Sequence, residues 1–289
     1  MASYILENED ISVEVLYDWG YERSRYDWGG TVSQVTKAGH TFLSREVNAN
    51  GSTGLSGVGL TNVLEWENTD LYDKTEIAGH FPMLGIGLCR KTDTAPFLFT
   101  RDYPVTPFQR IVEADADHVS IRTLPHMVLD TAVDMTKTYT LSGNSLIVSF
   151  KFHNVGRTEI HATEFCHNFI KFDDRPVDSS YRVSFPYSLT AEMRRGQIIL
   201  ERDAYRIGEF DIPTESSAFW IHGWEGMQSH WMKIENIETS ASVFIEDNFP
   251  VCKFYSWNNI NACCPEIFAP IHLRPNESLS YTRKYTFNT

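Results

Sequence analysis

An alternation of apolar and polar residues with a period of two constrains this chain more than any other feature. Ser145 to Phe152 reads SLIVSFKF, with Leu146, Val148, Phe150 and Phe152 on one face and Ser149 and Lys151 on the other. Successive side chains of a strand point to opposite faces, so the pattern predicts a half-buried β-strand. The same reading applies to Ile11 to Tyr17, Thr31 to Thr36, Val119 to Leu124, Met135 to Leu141, Glu159 to Phe172, Gln197 to Leu200, Ala218 to His222, His230 to Glu235, Val243 to Glu246 and Leu279 to Phe287. Turn signals (SGNS, HNVGRTE, RRGQ, RPNES) separate these segments at short spacing, as antiparallel hairpins require. No stretch of twelve or more residues has convincing helical periodicity, which argues against crossover helices and predicts an all-β chain.

A chain of 289 residues can still form one β-sandwich, so a single domain over residues 1–289 is expected. A hydrophobic fraction of 42% is enough for a sizeable core and excludes disorder. The net charge of −13 would repel phosphate backbones and anionic lipid, so neither nucleic acid nor a membrane surface is an expected partner. An anionic sugar would need a local cluster of arginines to override that field. Five cysteines, an odd number and none in a CxxC pair, suit free thiols in a reducing compartment. The first residues, MASYILENEDISVEV, have neither the basic start nor the apolar run of a signal peptide, and a cytoplasmic location is expected. The glycine-rich stretch Asn50 to Gly59 matches no nucleotide-binding fingerprint and reads as a flexible surface loop. Thr92 to Pro107, with three prolines, reads as an irregular connection.

Two segments concentrate chemistry in apolar company. In TEFCHNF, Phe165, His167 and Phe169 share a strand face, which sets an imidazole between two aromatic rings. A lone histidine there can equally be a core residue satisfied by a neighbour. In CPEIFAP, Glu266 is flanked by Pro265, Ile267 and Phe268, unusual surroundings for a solvated carboxylate, although a salt bridge at a loop edge would also account for it.

These two segments carry a family resemblance. Leu146 to Phe172, LIVSFKFHNVGRTEIHATEFCHNFIKF, resembles the signature of the galactose mutarotase-like (aldose 1-epimerase) superfamily: a strand, a polar turn, then a strand presenting Thr, His four residues on, and Phe just beyond. Thr163, His167 and Phe169 fill those positions. The closing CCPEIFAPIHLRPNESLSYTRKYTF is similar to that superfamily's C-terminal segment, in which a catalytic Glu precedes a strand, a proline-containing turn and a final strand; Glu266 fills its place.

The resemblance implies a β-supersandwich of antiparallel strands that binds a small-molecule sugar in an open cleft, with His167 and Glu266 on opposite sides of its anomeric region. It implies an isomerase that interconverts α and β anomers by acid/base ring opening, with His167 as acid and Glu266 as base and no cofactor. Reference pKa values of about 4.3 for Glu and 6.5 for His suit those roles at neutral pH. The family's N-terminal arginine and histidine have no recognisable pattern here. His80 and Arg90, flanking GHFPMLGIGLCR, are the nearest candidates for substrate binding. Asp211 and Glu225 are the nearest acidic residues for gripping sugar hydroxyls, without a matching motif.

Trp257, shortly before Glu266, is the expected stacking platform for the apolar face of a sugar, while Trp19, Trp28, Trp66, Trp220, Trp224 and Trp231 read equally as core or edge residues. No metal is expected, because the ten histidines form no HExxH and no paired CxxC accompanies them. The GxSxG turn of a serine hydrolase is absent. Two other readings stay open: a carbohydrate-binding or sugar-sensing protein that performs no turnover, and a polysaccharide-processing enzyme, against which the lack of a partner domain argues.

Overall fold

The computed structural model of the chain describes residues 2–17, 24–47, 53–212 and 215–289. Nearly all regular structure is antiparallel β, in two ten-stranded sheets and two small ones. The single helix among the described residues, Asp70–Asp73, is one turn long. No helix there is long and apolar enough to cross a membrane.

Each strand predicted from alternation is present, and the burial pattern explains why. Along Ser145–Asn154, buried Leu146, Val148, Phe150 and Phe152 alternate with more open positions. Burying one face is the reason for the alternation. The first large sheet runs Ser3–Glu7, Ser12–Leu16, Thr31–Lys37, Leu60–Trp66, Ile160–Asn168, Ala262–Leu273, Lys253–Asn259, Ser217–His222 and Thr190–Arg195, with His40–Thr41 paired to Thr31–Lys37. Ser145–Asn154 and Ser278–Asn288 lie at the middle of the second sheet. The two inner faces share one apolar cluster that includes Val148, Phe150, Phe152, Cys166, Ile267, Tyr281 and Tyr285.

Through this apolar layer runs a chain of buried polar contacts. Arg283 of the second sheet donates to Glu164 of the first at 3.2 Å, to Asp247 at 2.7 Å and to the Ile267 carbonyl at 3.1 Å. Asn62 joins Glu164 to Lys137, which is paired with Asp27 and also donates to the Gly30 carbonyl at 2.8 Å. The side chains of Lys137 and Asp27 are fully buried. Burial pushes the Asp247 carboxyl up to about 6, against the pull of Arg283.

Two expectations change. The glycine-rich stretch is not simply a loop: Thr53–Val58 is a strand paired with Arg45–Val47, whereas residues 50–52, and Trp19 elsewhere, lie outside the described residues. Its glycines answer to packing, since a Cβ on Gly57 would collide with the Phe169 ring and one on Gly59, at φ 56°, with the Val32 carbonyl. Glu266, expected in a loop before a strand, stands inside the twelve-residue strand Ala262–Leu273. Short-range pattern missed this because the strand is buried almost throughout and shows no alternation.

Removing Arg283 would leave two carboxyl groups buried without their cation. The variant Arg283→Met is expected to lose about 3–5 kcal/mol of unfolding free energy, read from urea denaturation. A loss below 1 kcal/mol would contradict the assigned role.

Candidate active site

His167 and Glu266 come from neighbouring strands of the first sheet. The ladder between Ile160–Asn168 and Ala262–Leu273 runs from Ile160↔Leu273 to Phe165↔Phe268, stops, and resumes as a single bridge at Ile170↔Cys263. Pro265, which has no N–H to donate, lies in the interrupted stretch, and the Asn168 side chain spans the gap by donating to its carbonyl at 2.6 Å. His167 and Glu266 occupy the same interruption. They are in direct contact, with His167 Nε2 3.2 Å from Glu266 Oε1. The facing-walls arrangement expected from the resemblance is therefore not what the fold provides: the two groups sit side by side on one wall.

They line a cavity of about 610 Å³, a volume in the usual range for small-molecule sites. His167 is 6% and Glu266 4% exposed, so each presents little more than its edge to the cavity. The imidazole stacks on Phe169 at 4.3 Å between centroids and meets Trp257 edge-on at 5.6 Å. His167 Nδ1 is buried without a hydrogen-bond partner, which leaves Nε2 as the nitrogen available for proton transfer.

Burial dominates the electrostatics of the pair. It drives the His167 imidazole well below its ordinary value, and the Arg25 guanidinium adds to that shift. Burial drives the Glu266 carboxyl well above its ordinary range, helped by Glu65 and opposed by Arg25. Both directions favour the uncharged form of each partner, a carboxylic acid at Glu266 and a neutral imidazole at His167. Reference values predict the reverse, because they contain no desolvation. The imidazole should consequently stay uncharged as the pH falls past 6.5. Ring-nitrogen NMR of imidazole-labelled protein tests this, and a midpoint at or above 6.5 would contradict it.

Of the remaining candidates, Trp257 lines the cavity as expected. His80 and Arg90 do not. They pair with each other across the small sheet formed by His80–Met83, Gly87–Arg90 and Val105–Pro107, are both exposed, and are absent from the cavity wall. Thr163 is buried beside the site, its hydroxyl unpaired, and is not part of the wall. Asp211 and Glu225 are also outside it.

The arginine whose charge acts on the His167–Glu266 pair is Arg25. It pairs with Glu46 at 3.1 Å and lies 4.9 Å above the Tyr26 ring and 5.6 Å above Phe99. A usable signal was present in RYDWGG, where an arginine precedes a glycine pair in the N-terminal third. Tyr255 and Trp220 were also missed as wall residues, although Tyr255 shares a strand face with Trp257 at a spacing of two. Their rings are 4.7 Å apart.

One group among the described residues could hold a metal: Glu67, His161 and His272, with ligand atoms within 4.8 Å of one another. All three are exposed and stand apart from the cavity wall. Cys263 and Cys264 are buried free thiols.

No protein-family model matches the sequence, and no curated protein does either. Solved structures do match over essentially the whole chain. The Slr1438 protein of Synechocystis sp. PCC 6803 superposes with a TM-score of 0.62 at 14% identity, covering 100% of this chain and 96% of its own. A galactose mutarotase related enzyme of Lactobacillus acidophilus gives 0.61 at 13%, covering 100% and 98%. An aldose epimerase homologue of C. elegans gives 0.56 at 12%, covering 99% of each chain. Shared backbone with so little shared sequence marks this chain as having the galactose mutarotase-like β-sandwich fold, at the sequence distance of a divergent branch.

Proposed function

We propose that the protein is an aldose 1-epimerase-type isomerase that interconverts the α and β anomers of an aldose or aldose derivative. The observation that carries this reading is the contact between His167 Nε2 and Glu266 Oε1 at the wall of a sugar-sized cavity. Anomer exchange needs one group to give a proton to the ring oxygen while another takes the proton of the anomeric hydroxyl. A buried pair of a carboxylic acid and a neutral imidazole can do both.

In the direction of ring opening, Glu266 protonates the ring oxygen and His167 Nε2 accepts the anomeric proton. The C1–O5 bond breaks, the aldehyde rotates about C1–C2, and closure on the other face returns both protons to their starting places. Each residue is acid in one half of the cycle and base in the other, so no cofactor is consumed. Trp257, Trp220 and Tyr255 offer aromatic faces for the C–H side of a pyranose, while Arg25 and Glu65 provide polar partners for its hydroxyls. The likeness to an aldose epimerase homologue and to a galactose mutarotase related enzyme supports the same reading at the level of fold.

Magnetisation-exchange NMR on single-anomer sugars tests the proposal. The native protein should accelerate exchange, and Glu266→Gln and His167→Ala should each reduce it on the order of 100-fold to 10,000-fold while leaving the melting transition in place. Binding with unchanged exchange would instead identify a sugar-binding or sensing protein.

The pH profile follows from the same pair. Activity requires His167 neutral and Glu266 protonated, so the acid limb should fall below pH 6.5 and the alkaline limb above pH 4.5, with the optimum between the two shifted values. A profile controlled by an unshifted imidazole near pH 6.5 would argue against the neutral pair.

A further inference from the structure

Arg194 and Arg195 are consecutive in a strand, yet both line the cavity. Regular alternation would send two successive side chains to opposite faces. The sheet register explains the exception. Thr190–Arg195 pairs with Ser217–His222 through Glu192↔Trp220 and Met193↔Phe219, then shifts, so that Arg195 rather than Arg194 stands opposite Ala218. The bulge inserts Arg194 as an extra residue and returns Arg195 to the face of Ala218 and Trp220, which is the cavity side.

The two guanidinium groups have few internal obligations. Arg195 makes no hydrogen bond or ion pair through its side chain among the described residues, and the only such partner of Arg194 is exposed Glu192 at 3.6 Å. Lys253, two strands away, and Arg25 bring the cations of this wall to four, beside the carboxyl groups of Glu46, Glu65 and Glu266. In a chain of net charge −13, a wall on which cations are not outnumbered by carboxyl groups departs from the overall charge.

Their distance from the proton pair fits a ligand with two ends. Across the sheet Glu266 stands opposite Tyr255, Tyr255 opposite Trp220, and Trp220 opposite Glu192 on the arginine strand. Three strand spacings amount to about 14 Å between backbones, a span that the long arginine side chains can partly close. Tyr255 lies between the two centres: after burial, which raises its hydroxyl pKa most, Glu266 raises it further and Arg195 and Arg194 lower it.

We infer that the sugar carries a tetrahedral oxyanion, a phosphate or a sulfonate, at the end of the ring remote from its anomeric carbon, and that Arg194 and Arg195 grip it with Lys253 nearby. The forked guanidinium matches such an oxyanion through paired N–H donors, whereas a neutral hydroxymethyl group could use only a fraction of them. The inference rests on reading the cavity as an anomerase site, because that reading fixes which end of the sugar faces His167 and Glu266.

Calorimetric titration with glucose, glucose 6-phosphate and 6-deoxy-6-sulfoglucose tests it by binding, independently of turnover. At least one anionic hexose should bind more tightly than glucose, and the phosphate and sulfonate arms distinguish the two sources. Arg194→Ala/Arg195→Ala should weaken that anionic sugar about 10- to 100-fold and weaken glucose by much less. Arg195→Glu should weaken it further, and Arg157→Ala, at an exposed site elsewhere, should do nothing. Both arginines are exposed, so these variants should fold normally. Equal affinity for all three sugars, no binding of either anionic hexose at millimolar concentration, or indifference to the arginine substitutions would overturn the inference. Accelerated exchange of glucose alone, unaffected by those substitutions, would overturn it while leaving the anomerase reading intact. Arginine-dependent binding of the anionic hexose without exchange would do the reverse.

Discussion

The site depends on a buried chain of ionic contacts beneath it. From Asp247 through Arg283, Glu164, Asn62 and Lys137 to Asp27, these groups join the two large sheets through a layer that is otherwise apolar. Charges at this depth are tolerated only when each has partners, so the chain fixes where its members stand. Glu164 belongs to the strand of His167, and Asp27 follows Arg25 by two residues. A second link, from the Tyr285 hydroxyl to Asn168 at 3.1 Å, pins the same strand one residue beyond His167. The imidazole and the arginine at the cavity are thus held from behind by residues that never reach it. Strand alternation makes this possible, because Glu164 and Asn168 point inward while Phe165 and His167 point to the cavity.

The interruption of one sheet ladder brings the pair together. Where Pro265 withholds a backbone donor, the strands are joined by a side chain instead, and in that stretch His167 and Glu266 meet. Desolvation then raises the carboxyl and lowers the imidazole, each toward its uncharged form. A pair exposed to water would be an ordinary ion pair of small consequence. At a few per cent exposure beside a cavity its two members are instead pushed toward their uncharged forms. The two-sided aromatic packing of the imidazole, on Phe169 and against Trp257, holds the ring beside Glu266.

Much of the fold was legible because burial of one strand face leaves a direct record in residue order. Strands such as Ser145–Asn154 and Ser278–Asn288 could be read to within one or two residues of their ends. Ala262–Leu273 could not, because both of its faces are covered and its apolar run has no period. His167, Glu266 and Trp257 could be singled out by their unusual neighbours and by resemblance. His80 and Arg90 were misplaced because proximity to a glycine-containing segment says nothing about which sheet carries a residue. They stand on a small separate sheet, and Arg25 occupies the cavity instead.

By itself the sequence determined the all-β class, most of the strands, and the apolar company of one histidine and one glutamate, since these follow from the order of residues within a few positions of each other. The tertiary structure decided that those two groups touch, that burial shifts both toward their uncharged forms, and that a bulge turns two adjacent arginines toward one cavity. Contacts between residues about a hundred positions apart, desolvation and register shifts arise from the packing of whole sheets, and no local pattern encodes them.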